Sequence, residues 1–394
     1  MKSGNKVVEL ESLRGLAAVI VAVGHYFYGF LPAIHTAALG TPYFAFFNGG
    51  ASVVFFFVLS GYVLSIGPLK TGNLGRIVIS ALKRWPRLAG PVLIVSAISG
   101  ILSVSGLYFN EEAGRITGSG WLRSFNFAFE GGPSLSDALY EGAFSTFFAP
   151  GGSNQYNAVL WTMHYEFIGS MIVFALVAVL LVADKLLRGG RWIAFSLILL
   201  GAAVLAVRHN AMYIPFVAGA TLALIHTKTG FRPIHLHWLP VVAIFGVVFY
   251  FSGFISPRGH YEYLKAYWPF SWISPYVAIH TTSSVAVMML ALFTTNLSRF
   301  LSRPAIAKLG EMSFPLYLVH LPIYCSLTSV LAVALIPVIG FWAAVIPLLI
   351  ISTAAVYLCS IPLTAMDRWW TDRLRHIRLG PWLSARIQRS DRPA

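Results

Sequence analysis

Charge and cysteine are both scarce in this chain. Asp, Glu, Lys and Arg make up 11% of its 394 residues, whereas soluble domains carry about 25% charged residues. The two cysteines, Cys325 and Cys359, both lie within apolar stretches. Two such isolated cysteines exclude a disulfide framework and a zinc-ligand cluster. We therefore expect no metal, no tightly bound cofactor and no redox chemistry at cysteine.

Long apolar stretches dominate the sequence instead. Hydrophobic residues account for 57% of the chain and are grouped in blocks. A helix of about 17–25 apolar residues spans a hydrocarbon core of about 30 Å. The sequence therefore predicts an all-α, polytopic membrane bundle with about ten transmembrane helices, near residues 13–31, 45–67, 88–107, 157–183, 192–207, 211–227, 238–256, 276–295, 312–332 and 340–363.

The distribution of basic residues predicts how the bundle is oriented. If the N-terminus is cytoplasmic, only five of the 28 Lys and Arg residues fall in outer loops, namely Arg115, Arg123, Arg208, Arg258 and Lys265. Cytoplasmic loops are enriched in Lys and Arg, so we expect both termini in the cytoplasm. The net charge of +14 follows from the same rule and gives no reason to expect nucleic-acid binding.

We predict one membrane domain, residues 1–367, followed by a basic cytoplasmic tail, residues 368–394. The tail is interpreted as an anchor at the anionic inner leaflet of the bilayer, and a bacterial inner membrane is the expected location. The longest stretch outside the spans, about 108–156, is expected outside the cell, either as a lid over the site or as a disordered loop.

Arg14 and His25 are the ionisable residues that stand out in the first span. Eleven positions are about three helical turns, so both side chains lie on nearly the same face, roughly 16 Å apart along the axis. An Arg at the centre of a bilayer helix costs about 2.5–3.5 kcal/mol on insertion scales, so we expect a functional role for this pair. The alternatives are a buried structural imidazole at His25 and a snorkelling anchor at Arg14.

Four further positions are candidates for the site. Arg84 and Arg87 flank a Trp-Pro pair and form a rigid basic corner, which suits either a polyanionic ligand or positive-inside anchoring. Glu166 is the one acidic residue predicted well inside a span, where it needs a partner or a proton. His164 lies about 200° around the helix from Glu166, so both cannot face one pocket. His320 is a second intramembrane imidazole, again either functional or structural.

Five motifs in order resemble the acyltransferase 3 family of integral membrane acyltransferases. They are Arg14-x10-His25, Phe-Phe-x-Leu-Ser-Gly-Tyr at 56–62, Arg84-x-x-Arg87, Leu-Trp-Thr-x-x-x-Glu at 160–166 and Leu-Tyr-Leu-x-His-x-Pro at 316–322. Relatives often carry a second acidic residue where Phe167 stands, and commonly have Ser-Tyr at Phe314-Pro315. Both departures bear on the acceptor more than on the chemistry.

The resemblance implies transfer of an acyl group, commonly acetyl, from cytoplasmic acyl-CoA to a hydroxyl of an extracytoplasmic glycan or a small-molecule acceptor. It marks His25 as the essential histidine, acting as general base or acyl relay, with Arg14 as its partner and Glu166 as an active-site carboxylate. The expected donor-binding residues are Arg14, Arg84 and Arg87, and the expected substrate-binding residues are Trp161, Tyr317 and His320.

A multi-span transporter of a sugar, a lipid-linked glycan or an acyl donor is the competing interpretation. Intramembrane Arg, His and Glu also suit proton coupling. The sequence shows no internal repeat of the kind found in inverted-topology transporters, which favours the enzyme. A structural subunit of an export complex would explain the spans but not the charged residues within them. The oligomeric state stays open.

Overall fold

A computed structural model describes residues 7–125, 132–149, 152–187 and 191–377. Its long helices are α1 (Val8–Phe30), α2 (Gly49–Thr71), α3 (Leu74–Val104), α4 (Trp161–Leu186), α5 (Arg191–His209), α6 (Ile214–Thr229), α7 (Trp238–Ser252), α8 (Pro275–Phe293), α9 (Pro304–Ile323), α10 (Ser329–Ile339) and α11 (Phe341–His376). Shorter helical segments connect them: Pro32–Ala38, Pro42–Phe46, Asn110–Thr117, Gly120–Ser124, Leu135–Tyr140, Glu141–Ser145, Thr146–Phe148, Ala158–Leu160, Ala211–Tyr213, Gly259–Tyr261, Leu264–Tyr267, Thr295–Leu301 and Tyr324–Thr328.

The prediction of an all-α membrane bundle is confirmed. The described residues contain no β-strand, and they include eight helices that are long and apolar enough to cross a membrane. One of these eight is a continuous stretch, Pro304–Ile339, in which α9 passes through a π-helical segment, Tyr324–Thr328, into α10.

Two of the ten predicted spans are shorter than expected. The span predicted at 211–227 corresponds to α6, which has 16 residues, and the one at 238–256 corresponds to α7, which has 15. At 1.5 Å per residue these helices are about 23–24 Å long, less than the roughly 30 Å of a hydrocarbon core. α6 ends where Gly230 adopts a φ of 61°, a conformation that glycine takes at little cost and that terminates helices.

The C-terminal helix continues through the predicted domain boundary at 367–368. α11 ends at His376, so the start of the predicted tail is helical. The rest of that tail, residues 378–394, lies outside the described residues. Residues 126–131 and 150–151 of the predicted external stretch also lie outside them.

α1 and α9 approach each other very closely, and this contact positions the site. A Cβ atom on Gly15 would lie 2.5 Å from the backbone nitrogen of Gly310, and one on Gly310 would lie 2.2 Å from the carbonyl oxygen of Glu11. Since no real Cβ atom tolerates such distances, only glycine permits this spacing. The first and last motifs of the sequence are therefore held side by side.

Buried apolar side chains form two large clusters. One is built mainly from α2, α4 and α6, and the other mainly from α1, α3, α9, α10 and α11. Phe56 of α2 packs against both. The boundary between the two clusters is where the polar residues of the motifs gather.

Candidate active site

A cavity of about 200 Å³ lies at the boundary between the two apolar clusters. Helices α1, α2, α3, α4, α9 and α11 contribute to its wall. Of the residues predicted to form the site, Arg14, Arg84, Arg87, Glu166 and Tyr317 line it. Its other polar lining residues are Glu11, Ser60, Thr162, Glu311, Ser313 and Asp367. The motifs therefore converge on one cavity.

Arg14 connects α1 to α9 at the wall of this cavity. Its Nε donates to Ser313 Oγ at 2.7 Å, its Nη2 donates to the Gly310 carbonyl oxygen at 3.0 Å, and it pairs with Glu11 at 2.8 Å. Within the described residues it makes no contact with His25. The two residues lie about three helical turns apart on α1, as their spacing in the sequence predicts, and the coupling of their roles stays a prediction. About a third of the side chain, 35%, is exposed.

Glu166 has the partner that its position requires. It forms an ion pair with Arg84 and accepts a hydrogen bond from Ser60 Oγ at 2.5 Å. Arg84 Nε also donates to Ser170 Oγ at 2.8 Å. The side chains of Arg84 and Glu166 are only 16% and 13% exposed. Arg84, expected to bind the donor, is thus already engaged within the protein, and in this state it orients Glu166.

Arg87 forms a two-point ion pair with Asp367 of α11. Its Nη1 and Nη2 lie 2.5 and 3.0 Å from the two carboxylate oxygens. Paired contacts of this kind are among the stronger charge-assisted hydrogen bonds. Sequence reasoning missed Asp367, since an acidic residue next to a basic tail gives no signal of its partner 280 residues away.

Carboxylates outnumber arginines in the cavity wall. Four acids line it, Glu11, Glu166, Glu311 and Asp367, together with Arg14, Arg84 and Arg87. Glu311 also pairs with Arg368. Each arginine of the wall has a carboxylate partner among the described residues. An anionic ligand would therefore have to exchange with one of these carboxylates.

His25 and His320 form a hydrogen-bonded pair of imidazoles. Nδ1 of His25 lies 2.8 Å from Nε2 of His320, and the ring planes differ by 20°. His320 is fully buried, and its Nδ1 lies 3.3 Å from the Leu316 carbonyl oxygen. Although predicted to bind substrate, His320 is therefore shielded in this structure, and its polar neighbour is His25.

Tyr317 links the cavity wall to the imidazole pair. Its ring centroid lies 5.8 Å from that of His320. Its hydroxyl donates to the Val159 carbonyl oxygen at 2.8 Å and lies 2.9 Å from Thr162 Oγ1. Tyr317 lines the cavity while neither histidine does. One aromatic ring of the cavity wall is thus in contact with His320.

A row of near-parallel rings continues from His25 away from His320. Trp121 lies 5.0 Å from His25 with an interplanar angle of 28°, and Tyr28 lies 5.1 Å from Trp121 at 17°. His35 stacks on Tyr28 at 4.2 Å and 7°. Ser119 Oγ donates to the Tyr28 carbonyl oxygen at 2.9 Å, which ties the Trp121 segment to α1. Sequence reasoning missed Trp121.

His35 closes this row in the short helix Pro32–Ala38, outside the membrane-spanning helices. Burial, and to a lesser extent the positive charge of Arg258, lower the pKa of His35 to about 4. The imidazole that stacks on Tyr28 is therefore neutral at physiological pH.

Two residues of the fourth predicted span lie away from the cavity. Trp161, predicted to bind substrate, does not line it; the side chain is 37% exposed and packs edge-on against Tyr165. His164 Nδ1 lies 3.0 Å from the Phe147 carbonyl oxygen. Only Glu166 of this group faces the cavity, in agreement with the helical phase of the sequence.

Comparison with known proteins identifies the family of the chain. A protein-family model described as an acyltransferase domain, that of acyltransferase 3, matches residues 7–361. No curated protein and no solved structure gives a significant match. The family match covers nearly the whole chain, including every residue of the cavity wall except Asp367. The chain therefore belongs to the acyltransferase 3 family and is an integral membrane acyltransferase.

Proposed function

We propose that this acyltransferase moves an acyl group, acetyl in the simplest case, from acyl-CoA to a hydroxyl of an extracytoplasmic glycan or small-molecule acceptor. The observation that carries the proposal is the arrangement of the cavity and the imidazole pair. Arginines and Tyr317 line the cavity, the Tyr317 ring contacts His320, and His320 is hydrogen-bonded to His25.

The donor fits the arginine-lined cavity. CoA carries several phosphates, and guanidinium groups bind phosphate oxygens through paired N–H donors. Arg14 is the best candidate for the first contact because its side chain is 35% exposed, whereas that of Arg84 is 16% exposed. Arg87 binds a phosphate of the donor when that phosphate replaces the Asp367 carboxylate. The acyl end of the donor then has to pass both Tyr317 and His320 to reach the free nitrogen of His25.

The chemical step needs a group that takes the proton of the acceptor hydroxyl. An imidazole nitrogen of His25 accepts that proton while the hydroxyl oxygen attacks the thioester carbonyl carbon. The C–O bond forms, the C–S bond breaks, and the proton passes from His25 to the departing thiolate of CoA. General-base help of this kind is worth roughly 10²–10⁴-fold. In the relay alternative an imidazole nitrogen of His25 attacks the thioester carbonyl carbon, so that a C–N bond forms and the C–S bond breaks with release of the CoA thiolate. The acceptor oxygen then attacks the acyl carbon, the C–N bond breaks, and the hydroxyl proton passes to the thiolate, which leaves as the thiol.

The expected location is a bacterial inner membrane with both termini in the cytoplasm. One observation supports the termini being on the same side. Arg14, near the start of α1, and Asp367, near the end of α11, line the same cavity. The strong bias of Lys and Arg toward one set of loops supports the cytoplasmic side.

The test is mass spectrometry of the surface glycans of the host in a deletion strain complemented with wild type, His25→Ala or His209→Ala. His209 is exposed at the end of α5, away from the cavity, and serves as the matched control. We expect an acyl mass increment with wild type and His209→Ala, and none with His25→Ala or the deletion alone. Equal acylation in all strains would contradict a glycan acceptor.

A further inference from the structure

We infer that His320 is a positioning residue that holds His25 in a single tautomer, with hydrogen on Nδ1 and the lone pair on Nε2. The inference rests on the proposed function only in naming Nε2 as the reacting atom. The tautomer itself follows from the hydrogen bonds of the two rings.

The hydrogen-bond donors and acceptors of the two rings determine the tautomer of His25. A neutral imidazole has one N–H donor and one bare acceptor nitrogen. His320 Nδ1 lies 3.3 Å from the Leu316 carbonyl oxygen, which can only accept, so Nδ1 carries the hydrogen. Nε2 of His320 is then bare, and the hydrogen of its 2.8 Å contact with His25 must come from His25 Nδ1. The lone pair of His25 therefore lies on Nε2.

The surroundings of His320 support a fixed role. The residue is fully buried, and its ring is packed between those of Tyr317 and Tyr324, with centroids 5.8 and 5.7 Å away. The small angle of 20° between the His25 and His320 planes keeps the donated N–H near the plane of the accepting ring, where the lone pair points. A histidine that only filled space would not need its second nitrogen directed at another imidazole.

His320 has the same role toward His25 as the third residue of a catalytic triad, which keeps an imidazole in the correct tautomer and orientation. Here the orienting group is a neutral imidazole rather than a carboxylate. It fixes which nitrogen of His25 is the base without placing a negative charge inside the membrane, where an unpaired charge is costly. His320 thus acts through His25 and not on the substrate.

Three substitutions separate this role from packing. The amide oxygen of Gln can reach the position of Nε2 and accept from His25, whereas that of Asn lies nearer the position of Nδ1, and Leu offers no acceptor. We expect His320→Leu and His320→Asn to lower kcat about 100-fold, near the lower end of a general-base contribution, and His320→Gln to retain activity within about tenfold of wild type. KM for acyl-CoA should change little in all three.

Nitrogen-15 NMR of ring-labelled histidine reports which ring nitrogen of His25 carries the hydrogen. A purely structural role of His320 would not affect this result, and the measurement requires no acyl transfer. Among the 11 histidines, the signals of His25 are assigned by difference with His25→Ala. We expect Nδ1 of His25 to be protonated and Nε2 bare in wild type and in His320→Gln. In His320→Leu the hydrogen should shift toward Nε2.

His280→Leu is the matched control, because His280 is equally buried in α8 but bonds the Phe254 carbonyl oxygen at 2.9 Å and does not contact His25. In His280→Leu, the tautomer signals of His25 and kcat should both stay as in wild type. A wild-type His25 protonated on Nε2, or a folded His320→Leu with wild-type kcat, would overturn the inference. If wild type showed the expected NMR pattern but no acyl transfer, the proposed function would be wrong and the tautomer assignment would still hold.

Discussion

At the scale of single residues, paired charges decide what the cavity can bind. Each arginine of the wall has a carboxylate partner, and the Arg87–Asp367 pair joins the cavity to the C-terminal helix, as does the Glu311–Arg368 pair. Asp367 occupies the guanidinium as a phosphate would, through two oxygens. A donor phosphate that bound Arg87, as proposed, would therefore have to compete with Asp367.

We predict that Asp367→Asn tightens donor binding. Removing the competing carboxylate should lower KM for acyl-CoA about fivefold, the change that corresponds to about 1 kcal/mol for a partly exposed pair. The matched control is Asp372→Asn, since Asp372 pairs with Arg375 on the same helix but is exposed and does not line the cavity. Steady-state kinetics at fixed ionic strength measures the effect, and a raised KM in Asp367→Asn would contradict it.

We predict a pH-dependent contribution of His35 to stability. Its pKa is about 4 in the folded protein, against an ordinary value of 6.5, so the unfolded chain binds more protons between these values. The contribution is complete above about pH 6.5 and is lost as the pH falls toward 4. Thermal unfolding at pH 7 and pH 5 should therefore show a smaller loss for His35→Gln than for wild type. Parallel losses in the two proteins would count against this assignment.

At the scale of helices, the glycine contact between α1 and α9 sets the geometry of the site. It holds Arg14 against Ser313 and Gly310, and it holds His25 against His320. A wider spacing would break these contacts together. The helix pair is therefore as important to the chemistry as the polar residues that it carries.

We predict that Gly15→Ala lowers both stability and activity. The added Cβ would meet the backbone of Gly310 at 2.5 Å, and overpacking of this kind costs typically about 1–3 kcal/mol. The control is Gly201→Ala in α5, where a Cβ would meet nothing within 4 Å; it should be neutral or slightly stabilising. Melting temperature and acyl transfer are measured together, and a Gly15→Ala protein that matches Gly201→Ala would refute this account of the contact.

The Trp121 segment makes a second prediction at this scale. Trp121 covers one side of His25, so Trp121→Ala should admit water and raise the release of free CoA without acceptor relative to acyl transfer. Trp121→Phe keeps an aromatic ring and should behave more like wild type. The ratio of thiol release with and without acceptor is the measurement; a ratio unchanged in Trp121→Ala would show that the ring does not exclude water.

At the scale of the whole molecule, the sequence reveals the bundle better than the contacts inside it. Apolar block length predicts the long helices of the described residues, and it predicts spans longer than the helices at α6 and α7, where helix ends are set by local turns that hydropathy does not report. The cost of charge in lipid singles out Arg14 and Glu166, the basic corner around Trp-Pro gives Arg84 and Arg87, and the family resemblance adds Tyr317. All five line one cavity.

Partner identities could not be predicted, because they depend on how distant helices pack. His25 meets His320 across 295 positions of sequence, and Arg87 meets Asp367 across 280. Trp121 reaches His25 from a short segment without a strong helical pattern. Such pairings carry no local sequence signal, so the sequence could not indicate His320 as the hydrogen-bond partner of His25.

A continuous series of contacts leads through the molecule from the arginine-lined cavity to His35. The arginine-lined cavity is followed by Tyr317, then His320, His25 and the ring row of Trp121, Tyr28 and His35. In this order His25 lies where the contacts that lead from the cavity meet the ring row. We therefore expect it to perform the transfer between donor and acceptor.

The most direct test uses purified protein in lipid nanodiscs with isotope-labelled acetyl-CoA and an envelope glycan fraction from the host. We predict one CoA thiol released for each labelled acetyl group found on the acceptor, and a rate at least about 100-fold lower for His25→Ala, with His280→Ala close to wild type. Wild-type rates in His25→Ala, or substrate movement across vesicles without any dependence on acyl-CoA, would contradict the account.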